Sequence, residues 1–328
     1  MDALDAAHVA DLFRLGRPAS SLELVARGQH NPLGVSRLRT ASGCYAVKGF
    51  EAAPSVTALA IETAAFAAGL PIPEPIRTRD GALFARHRAG ESDVWVRVYR
   101  WVPGAALNWG IADPPVSFEI GRLMATIHRL PVASDALKEA PAQAWSPLGE
   151  RGWAGLAKRA LARGLPWADA LGAAVPRLLD QEAYLMRHGP EVAATVPSQR
   201  DLHPPNVVRT PAGALYVVDW DSAGPVVARH DVAEFALVWA TPAHGPPLGA
   251  AVHAFIDGYR AGGGHYHSEG SADLLTRQKT ALWWLALNVR RDLGERPGPD
   301  LELTPALLSR AASWDADDLR SLADLLDH

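Results

Sequence analysis

Asp201, Asn206 and Asp219 are the residues of this chain whose types and spacing could do chemistry. They stand in Arg200-Asp-Leu-His-Pro-Pro-Asn206 and, one turn later, in Val217-Val-Asp-Trp-Asp221. An amide follows the first carboxylate by five positions, and a second carboxylate follows the amide by thirteen. Phosphoryl transfer from a nucleotide needs such a set: one group to orient the attacking hydroxyl and oxygen ligands for Mg²⁺. On that chemistry Asp201 is the candidate catalytic residue, and Asn206 and Asp219 are candidate metal ligands. Taken singly, the first two read as turn formers and the third as a strand-end carboxylate; it is the three in register that point to function.

The elements that must position them can be read from the flanks. Val207-Val-Arg209 is a short strand, Thr210-Pro-Ala-Gly213 has turn chemistry, and Ala214-Leu-Tyr-Val-Val218 is a second strand rich in β-branched and aromatic residues. A hairpin with Asp201 and Asn206 entering and Asp219 leaving brings all three to one end. Upstream, Glu191 to Pro197 is a short apolar run ending in proline, suited to leading out of a helix.

The order Gln-Arg-Asp-x-x-x-x-Asn, then Asp-Trp-Asp, shares its spacing with the protein-kinase catalytic loop. The segment resembles the catalytic motif of the aminoglycoside phosphotransferase family, whose usual form is H-G-D-x-H-x-x-N followed by two hydrophobic residues and D-[WF]-[DE]. Asp201, His203 and Asn206 fit that form, as does Val217 to Asp221, and the departure is Gln199-Arg200 in place of His-Gly. The resemblance implies an α+β, protein-kinase-like two-lobed fold. Residues 1–102 would form an N-terminal nucleotide-binding lobe, an antiparallel sheet with one helix; residues 103–328 would form a larger, mainly helical catalytic and substrate-binding lobe. It also implies that Asp221 either binds a metal or fixes the loop, that His203 helps to hold the loop, and that Arg200 pairs with a carboxylate or a backbone carbonyl.

A nucleotide site of this kind needs a strand lysine for the α/β-phosphates and a helix glutamate to hold that lysine. Cys44-Tyr-Ala-Val-Lys-Gly-Phe50 is a strand carrying Lys48, and Ser55 to Ala68, preceded by Pro54, is an alanine-rich helix. Glu62 is the only acidic residue of that helix, fourteen positions after Lys48, so these two are the expected pair. Leu22-Glu-Leu-Val25 and Val35-Ser-Arg-Leu-Arg39 read as strands, and the turn between them places Gly28 and Asn31 where a phosphate-covering loop belongs. Gly69-Leu-Pro-Ile-Pro-Glu-Pro75 has the form typical of the family at this point. Leu83 to Arg86 and Val94 to Tyr99 are two further strands, followed by Arg100-Trp-Val-Pro-Gly104, where the family has its lobe connection. The resemblance implies that the backbone at Arg100 and Val102 contacts the adenine edge, with Trp101 packing on the ring or on the junction.

Ser117 to Arg129 reads as a helix with Ile120, Leu123, Met124 and Ile127 on one face, and Ala133 to Trp167 as an insertion between helices. His128 is expected to be a structural hydrogen-bonding residue, and Asp231 resembles a family position that ties down the helix it begins. Asp231, Glu234, Trp239, Trp283, Trp284, Asp292 and Glu295 could face a cationic, partly apolar substrate, although Trp283 and Trp284 look first like helix core.

Composition sets the bounds. A chain of 328 residues with 48% hydrophobic and 21% charged residues is that of an ordinary globular protein, long enough for one two-lobed unit. A net charge of −4 with no Lys/Arg cluster argues against a nucleic-acid partner. The single cysteine excludes an internal disulfide. With neither a signal-like start nor an apolar run of about 20 residues, a cytoplasmic protein without a membrane partner is expected. The expected enzyme is a monomer or homodimer that uses ATP or GTP with Mg²⁺ to phosphorylate a small-molecule hydroxyl. The family's acceptors imply an antibiotic of aminoglycoside, macrolide or peptide type. The alternatives are a metabolic kinase of sugar, homoserine or choline type, or a catalytically silent nucleotide-binding regulator.

Overall fold

A computed structural model describes residues 5–26, 33–89, 92–135, 137, 146–188, 195–295, 304–312 and 316–328. The chain divides into two compact units. The first comprises Met1–Trp109, Leu130–Glu139 and Pro197–Gly224; the second comprises Gly110–Arg129, Ala140–Val196 and Pro225–His328. Lys48, Glu62, Asp201, Asn206, Asp219 and Asp221 all fall in the first.

That first unit opens with helix α1 (Ala6–Leu12), capped by the Asp5 carboxylate, which accepts from the Ala7 and His8 N–H groups. Strands β1 (Glu23–Ala26), β2 (Val35–Thr40) and β3 (Gly43–Phe50) follow, then helix α2 (Val56–Ala67), then β4 (Pro75–Ile76), β5 (Ala85–Ala89) and β6 (Ser92–Arg100). They form one antiparallel sheet in the order β1-β2-β3-β6-β4, with β5 also paired to β6. Tyr45 and Val47 of β3 and Val94, Val96 and Val98 of β6 point to a core completed by Val9, Phe13, Leu15 and Leu38. Strict alternation puts Lys48 on the opposite face of β3, where the register sets it directly across from Arg97 of β6. Ser55 starts α2 by accepting the Ala58 N–H at 3.3 Å, so the helix begins where the Pro54-Ser55 signal places it.

A smaller sheet carries the catalytic segment. Strand β7 (Ala105–Ala106) pairs with β9 (Val207–Arg209), which pairs with β10 (Leu215–Val217), giving the order β10-β9-β7. Gly104 makes the approach of β7 possible. At φ 144° it lies so close to β9 that a Cβ there would stand 2.2 Å from the Arg209 carbonyl oxygen. The flanking strands are β8 (Thr195–Ser198) and β11 (Gly224–Val227).

The second unit is helical: α3 (Pro114–His128), α4 (Gly149–Ala162), α5 (Ala168–Arg187), α6 (Ala228–Ala240), α7 (Gly249–Ala261), α8 (Leu275–Asp292), α9 (Thr304–Ala312) and α10 (Ala316–Leu326). Helix α3 starts three residues earlier than its apolar periodicity suggests, because Pro114 and Pro115 supply first-turn φ angles without needing donors. The expected insertion at 133–167 contains α4, whose Trp153, Leu156 and Ala160 pack with Leu171, Leu178, Leu282, Leu285 and Val289 in a second core. Helix α6 is buried nearly all round. Helices α3 and α7 cross at backbone distance: a Cβ on Gly121 would meet the Phe255 carbonyl oxygen at 2.0 Å, and one on Gly258 the Phe118 carbonyl oxygen at 1.9 Å. Among the described residues no helix is long and apolar enough to cross a membrane.

Candidate active site

Two stretches of the first unit are held together by a residue that the sequence marks only as a departure. The buried Gln199 side chain accepts the Asp201 N–H at 2.8 Å. Its amide nitrogen donates to the Asp219 carbonyl at 2.6 Å and to that of Val218 at 3.2 Å. One amide therefore joins the start of the catalytic segment to the end of the following strand. On either side of these contacts the backbone is left-handed: φ is 63° at Arg200 and 59° at Asp219. Asp is among the few non-glycine types that enter this region readily; Arg200 does so where the related motif has glycine.

Within the catalytic segment Asp201 is oriented from two sides. His203 Nδ1 lies 2.5 Å from one carboxylate oxygen, and Asn206 Nδ2 donates to the other at 2.7 Å and to the Asp201 carbonyl at 2.8 Å. His203 thus holds the loop, as its place in the motif implies. Both donations come from the Asn206 nitrogen, so its amide oxygen is the atom available for a cation. The Asn206 carbonyl also accepts the Val218 N–H at 2.8 Å, which locks the segment to the strand leading into Asp219. Trp109, 59% exposed, lies beside His203 with ring centroids 4.9 Å apart, because Leu107 donates to the Val207 carbonyl and extends the β7–β9 pairing towards the loop.

Asp219 and Asp221 flank Trp220, whose ring is buried and whose indole N–H donates to the Val217 carbonyl at 3.1 Å. With the tryptophan anchored, both carboxylates converge on Lys48. The ammonium is 2.7 Å from Asp219 Oδ1 and in close contact with Asp221 Oδ2. Burial pulls the lysine pKa down, but the two carboxylates outweigh it and hold it above the usual lysine value. Burial likewise pushes the Asp221 carboxyl up to about 6, opposed by Lys48 and reinforced by the Asp219 charge.

Two hard carboxylates drawn to one cation fit a divalent ion of the Mg²⁺ class, which takes one or two carboxylates and completes its shell with phosphate oxygens and water. Among the described residues no group of three or more His, Cys, Asp or Glu side chains forms a self-sufficient metal cage.

The expected Lys48–Glu62 pair is not formed. Glu62, 1% exposed, is in close contact with the Arg97 guanidinium, itself 2% exposed, and Lys48 is taken by Asp219 and Asp221. The reason is positional: Arg97 faces Lys48 across β3 and β6 and offers Glu62 a second, bidentate-capable cation. Arg97 was legible only as a charge inside the apolar run Val94 to Val98, and reading its role required the strand register.

At the end of β6 the Arg100 N–H donates to the Glu74 carbonyl at 2.8 Å, and the Trp101 N–H to the Cys44 carbonyl at 3.0 Å. The Arg100 N–H is thereby committed within the fold, whereas the Val102 N–H has no backbone acceptor among the described residues. The Trp101 ring packs under the Arg37 guanidinium, 5.2 Å from its centroid. Gly28 and Asn31 lie outside the described residues.

In the second unit His128 bridges the Tyr259 hydroxyl at 2.9 Å and Asp231 at 3.1 Å, which ties α6 to α3 and α7. Trp283 and Trp284 are half-buried, edge to face at 5.1 Å; the core face of α8 belongs instead to Leu282, Leu285 and Val289.

The family described as APH, phosphotransferase enzyme family, matches residues 21–265. No curated protein matches the sequence. Among solved structures, spectinomycin phosphotransferase APH(9)-Ia in complex with ADP and spectinomycin is similar at TM-score 0.66 and 16% identity, over 93% of this chain and 92% of that one. Amicoumacin kinase in complex with AMP-PNP, Ca²⁺ and amicoumacin gives 0.61 and 15%, over 96% and 91%. A choline/ethanolamine kinase family protein from Mesorhizobium loti gives 0.56 and 15%, over 98% and 97%.

Proposed function

The chain belongs to the phosphotransferase enzyme family and has its kinase-like fold, and from that premise we propose that it transfers the γ-phosphate of ATP or GTP to a hydroxyl of a small molecule, using Mg²⁺. The observation that carries this reading is the convergence of Asp219 and Asp221 on Lys48 in the same compact unit as the doubly hydrogen-bonded Asp201.

Each residue then has a task. Asp201 accepts a hydrogen bond from the acceptor hydroxyl and takes its proton as the oxygen attacks in line. His203 and Asn206 keep the carboxylate aimed. Asp219 and Asp221, with the Asn206 amide oxygen, would hold Mg²⁺, which when bound neutralises charge on the phosphate oxygens. Lys48 would serve the α/β-phosphates. The backbone at Arg100 and Val102 contacts the adenine edge, and Gly28 and Asn31 serve as the phosphate-covering residues. Because the transition state is loose, positioning and charge neutralisation matter more than a strong base.

Spectinomycin, amicoumacin, choline and ethanolamine figure in the names of the similar structures, so the acceptor is sought among antibiotics and metabolic amino alcohols. The test is nucleotide consumption by the purified protein with Mg²⁺ across aminoglycosides, macrolides, peptide antibiotics and small metabolic alcohols. Selective turnover with one class identifies the acceptor. Mg-nucleotide binding without turnover on any of them supports the regulator reading, and absence of nucleotide binding overturns the proposal.

A further inference from the structure

We infer that Trp109 is an acceptor-binding residue, whose exposed indole face takes the protonated amine of an acceptor whose hydroxyl lies at Asp201. This inference rests on the phosphotransfer reading above and deepens it, since it chooses among acceptors.

Among the described tryptophans Trp109 is the one left largely in water, at 59% exposure. Trp153, Trp167, Trp220 and Trp239 are buried, and Trp95, Trp101, Trp283 and Trp284 are half-buried. A single exposed apolar side chain is common on protein surfaces and carries no meaning by itself. What sets this one apart is its neighbour. Its ring lies 4.9 Å from the imidazole of His203, tilted by 52°, and that imidazole holds an Asp201 carboxylate oxygen at 2.5 Å. The width of one imidazole therefore separates the indole from the group assigned the acceptor proton. The backbone that presents the indole is fixed: the Leu107 N–H donates to the Val207 carbonyl at 2.9 Å, continuing the β7–β9 pairing. A side chain carried on a fixed backbone has little freedom left to lose when it takes a ligand.

The chemistry of the face selects the ligand. Indole offers a cation the strongest of the aromatic faces, effective within about 6 Å of the ring centroid. The Asp201 side chain, 41% exposed, adds a negative charge beyond the imidazole. His203 and Asn206 each take one of its oxygens, and a carboxylate has lone pairs enough to accept the acceptor hydroxyl as well. An acceptor with an amine a few bonds from its hydroxyl can set the hydroxyl at Asp201 and the ammonium over the indole. A neutral alcohol of the same shape meets Asp201 equally well and gains nothing from the ring but apolar contact.

The experiment compares the wild-type protein with Trp109→Phe and Trp109→Leu in steady-state kinetics at saturating Mg-ATP. The probes are spectinomycin, erythromycin, choline and ethanolamine, which carry an amine, with glycerol and 3,3-dimethylbutan-1-ol, a neutral isostere of choline, and after them the wider panel above. Wild-type turnover is expected with an amine-bearing alcohol. For that acceptor Trp109→Leu is expected to raise KM about ten-fold, with kcat within about three-fold of wild type and an unchanged dissociation constant for Mg-ATP. Trp109→Phe, which keeps a weaker aromatic face, is expected to fall between. Both variants are expected to keep the wild-type Tm, because the ring is exposed; should Trp109→Leu not fold, the KM of Trp109→Phe carries the test. A fall in kcat at unchanged KM makes Trp109 a support for His203, and weaker Mg-ATP binding puts it at the nucleotide; either result overturns the proposal. So do a wild-type KM in Trp109→Leu, a Trp109→Phe protein no better than Trp109→Leu, and wild-type preference for the neutral alcohols. If the wild-type protein phosphorylates no alcohol of any class, the phosphotransfer reading falls and this role falls with it; that outcome is separate from wild-type turnover with the wrong response in the variants.

Discussion

Asp201 takes hydrogen bonds from both His203 and Asn206, and Asp219 sits in the left-handed region with its carboxylate on Lys48. If Asp201 is the group that receives the acceptor proton, Asp201→Asn lowers kcat by about a hundred- to ten-thousand-fold while Mg-nucleotide binding, measured by calorimetry, persists. Retained turnover would mean that another base is at work. At Asp219 charge and backbone can be separated. Asn also enters the left-handed region with ease and Ala does not, so Asp219→Ala should lose about 1 kcal/mol more stability than Asp219→Asn in denaturant titrations, while both lose metal-dependent nucleotide binding. Gln199 makes three hydrogen bonds within the site, so Gln199→Leu should cost roughly 2–4 kcal/mol and leave the Asp219 carbonyl without its donor. Of these residues, Asp201, Asn206 and Asp219 stand out in the sequence by their spacing, and His203 and Asp221 by the family resemblance. Gln199 was visible only as an unusual residue, because its three partners are separated along the chain by up to 20 positions and a hairpin has to bring them together.

The elements were legible where the local signal was strong. Strands β2, β3, β9 and β10 and helix α2 lie within a residue or two of where β-branched runs, turn residues and the Ser55 cap place them. The register was not legible, and the register decides that Lys48 faces Arg97 and that Glu62 is claimed by the arginine. Helix α4 was hidden in an alanine-, proline- and tryptophan-rich stretch, since its apolar face has meaning only against α5 and α8. Glycines mark two further element-scale constraints. Gly104→Ala would place a methyl 2.2 Å from the Arg209 carbonyl oxygen and push β7 from β9. A loss of roughly 1–3 kcal/mol is expected, read from the denaturation midpoint, together with weakened Trp109–His203 packing. Gly258→Ala should act likewise on the α3–α7 crossing; unchanged stability would show that the helices can separate freely.

For the whole molecule, every side chain assigned here to nucleotide, metal or proton transfer falls in the first compact unit, which joins the sheet to residues 197–224. A ligand that binds only the folded form stabilises by mass action, so Mg-ATP at a hundred times its dissociation constant should add about 2.7 kcal/mol to stability, seen as a rise in Tm that EDTA abolishes. An unchanged Tm at saturating nucleotide would contradict the site. By itself the sequence determined the chemistry available: a carboxylate, an amide and a second carboxylate at a spacing that short-range turn and strand propensities convert into one hairpin end, with a strand lysine upstream. Those relations are local, and local propensity is written residue by residue. Which ion pairs form was decided only by the tertiary structure. The choice between Arg97 and Lys48 for Glu62 depends on strand register, on burial that penalises any unpaired charge, and on the distance between residues far apart in the chain.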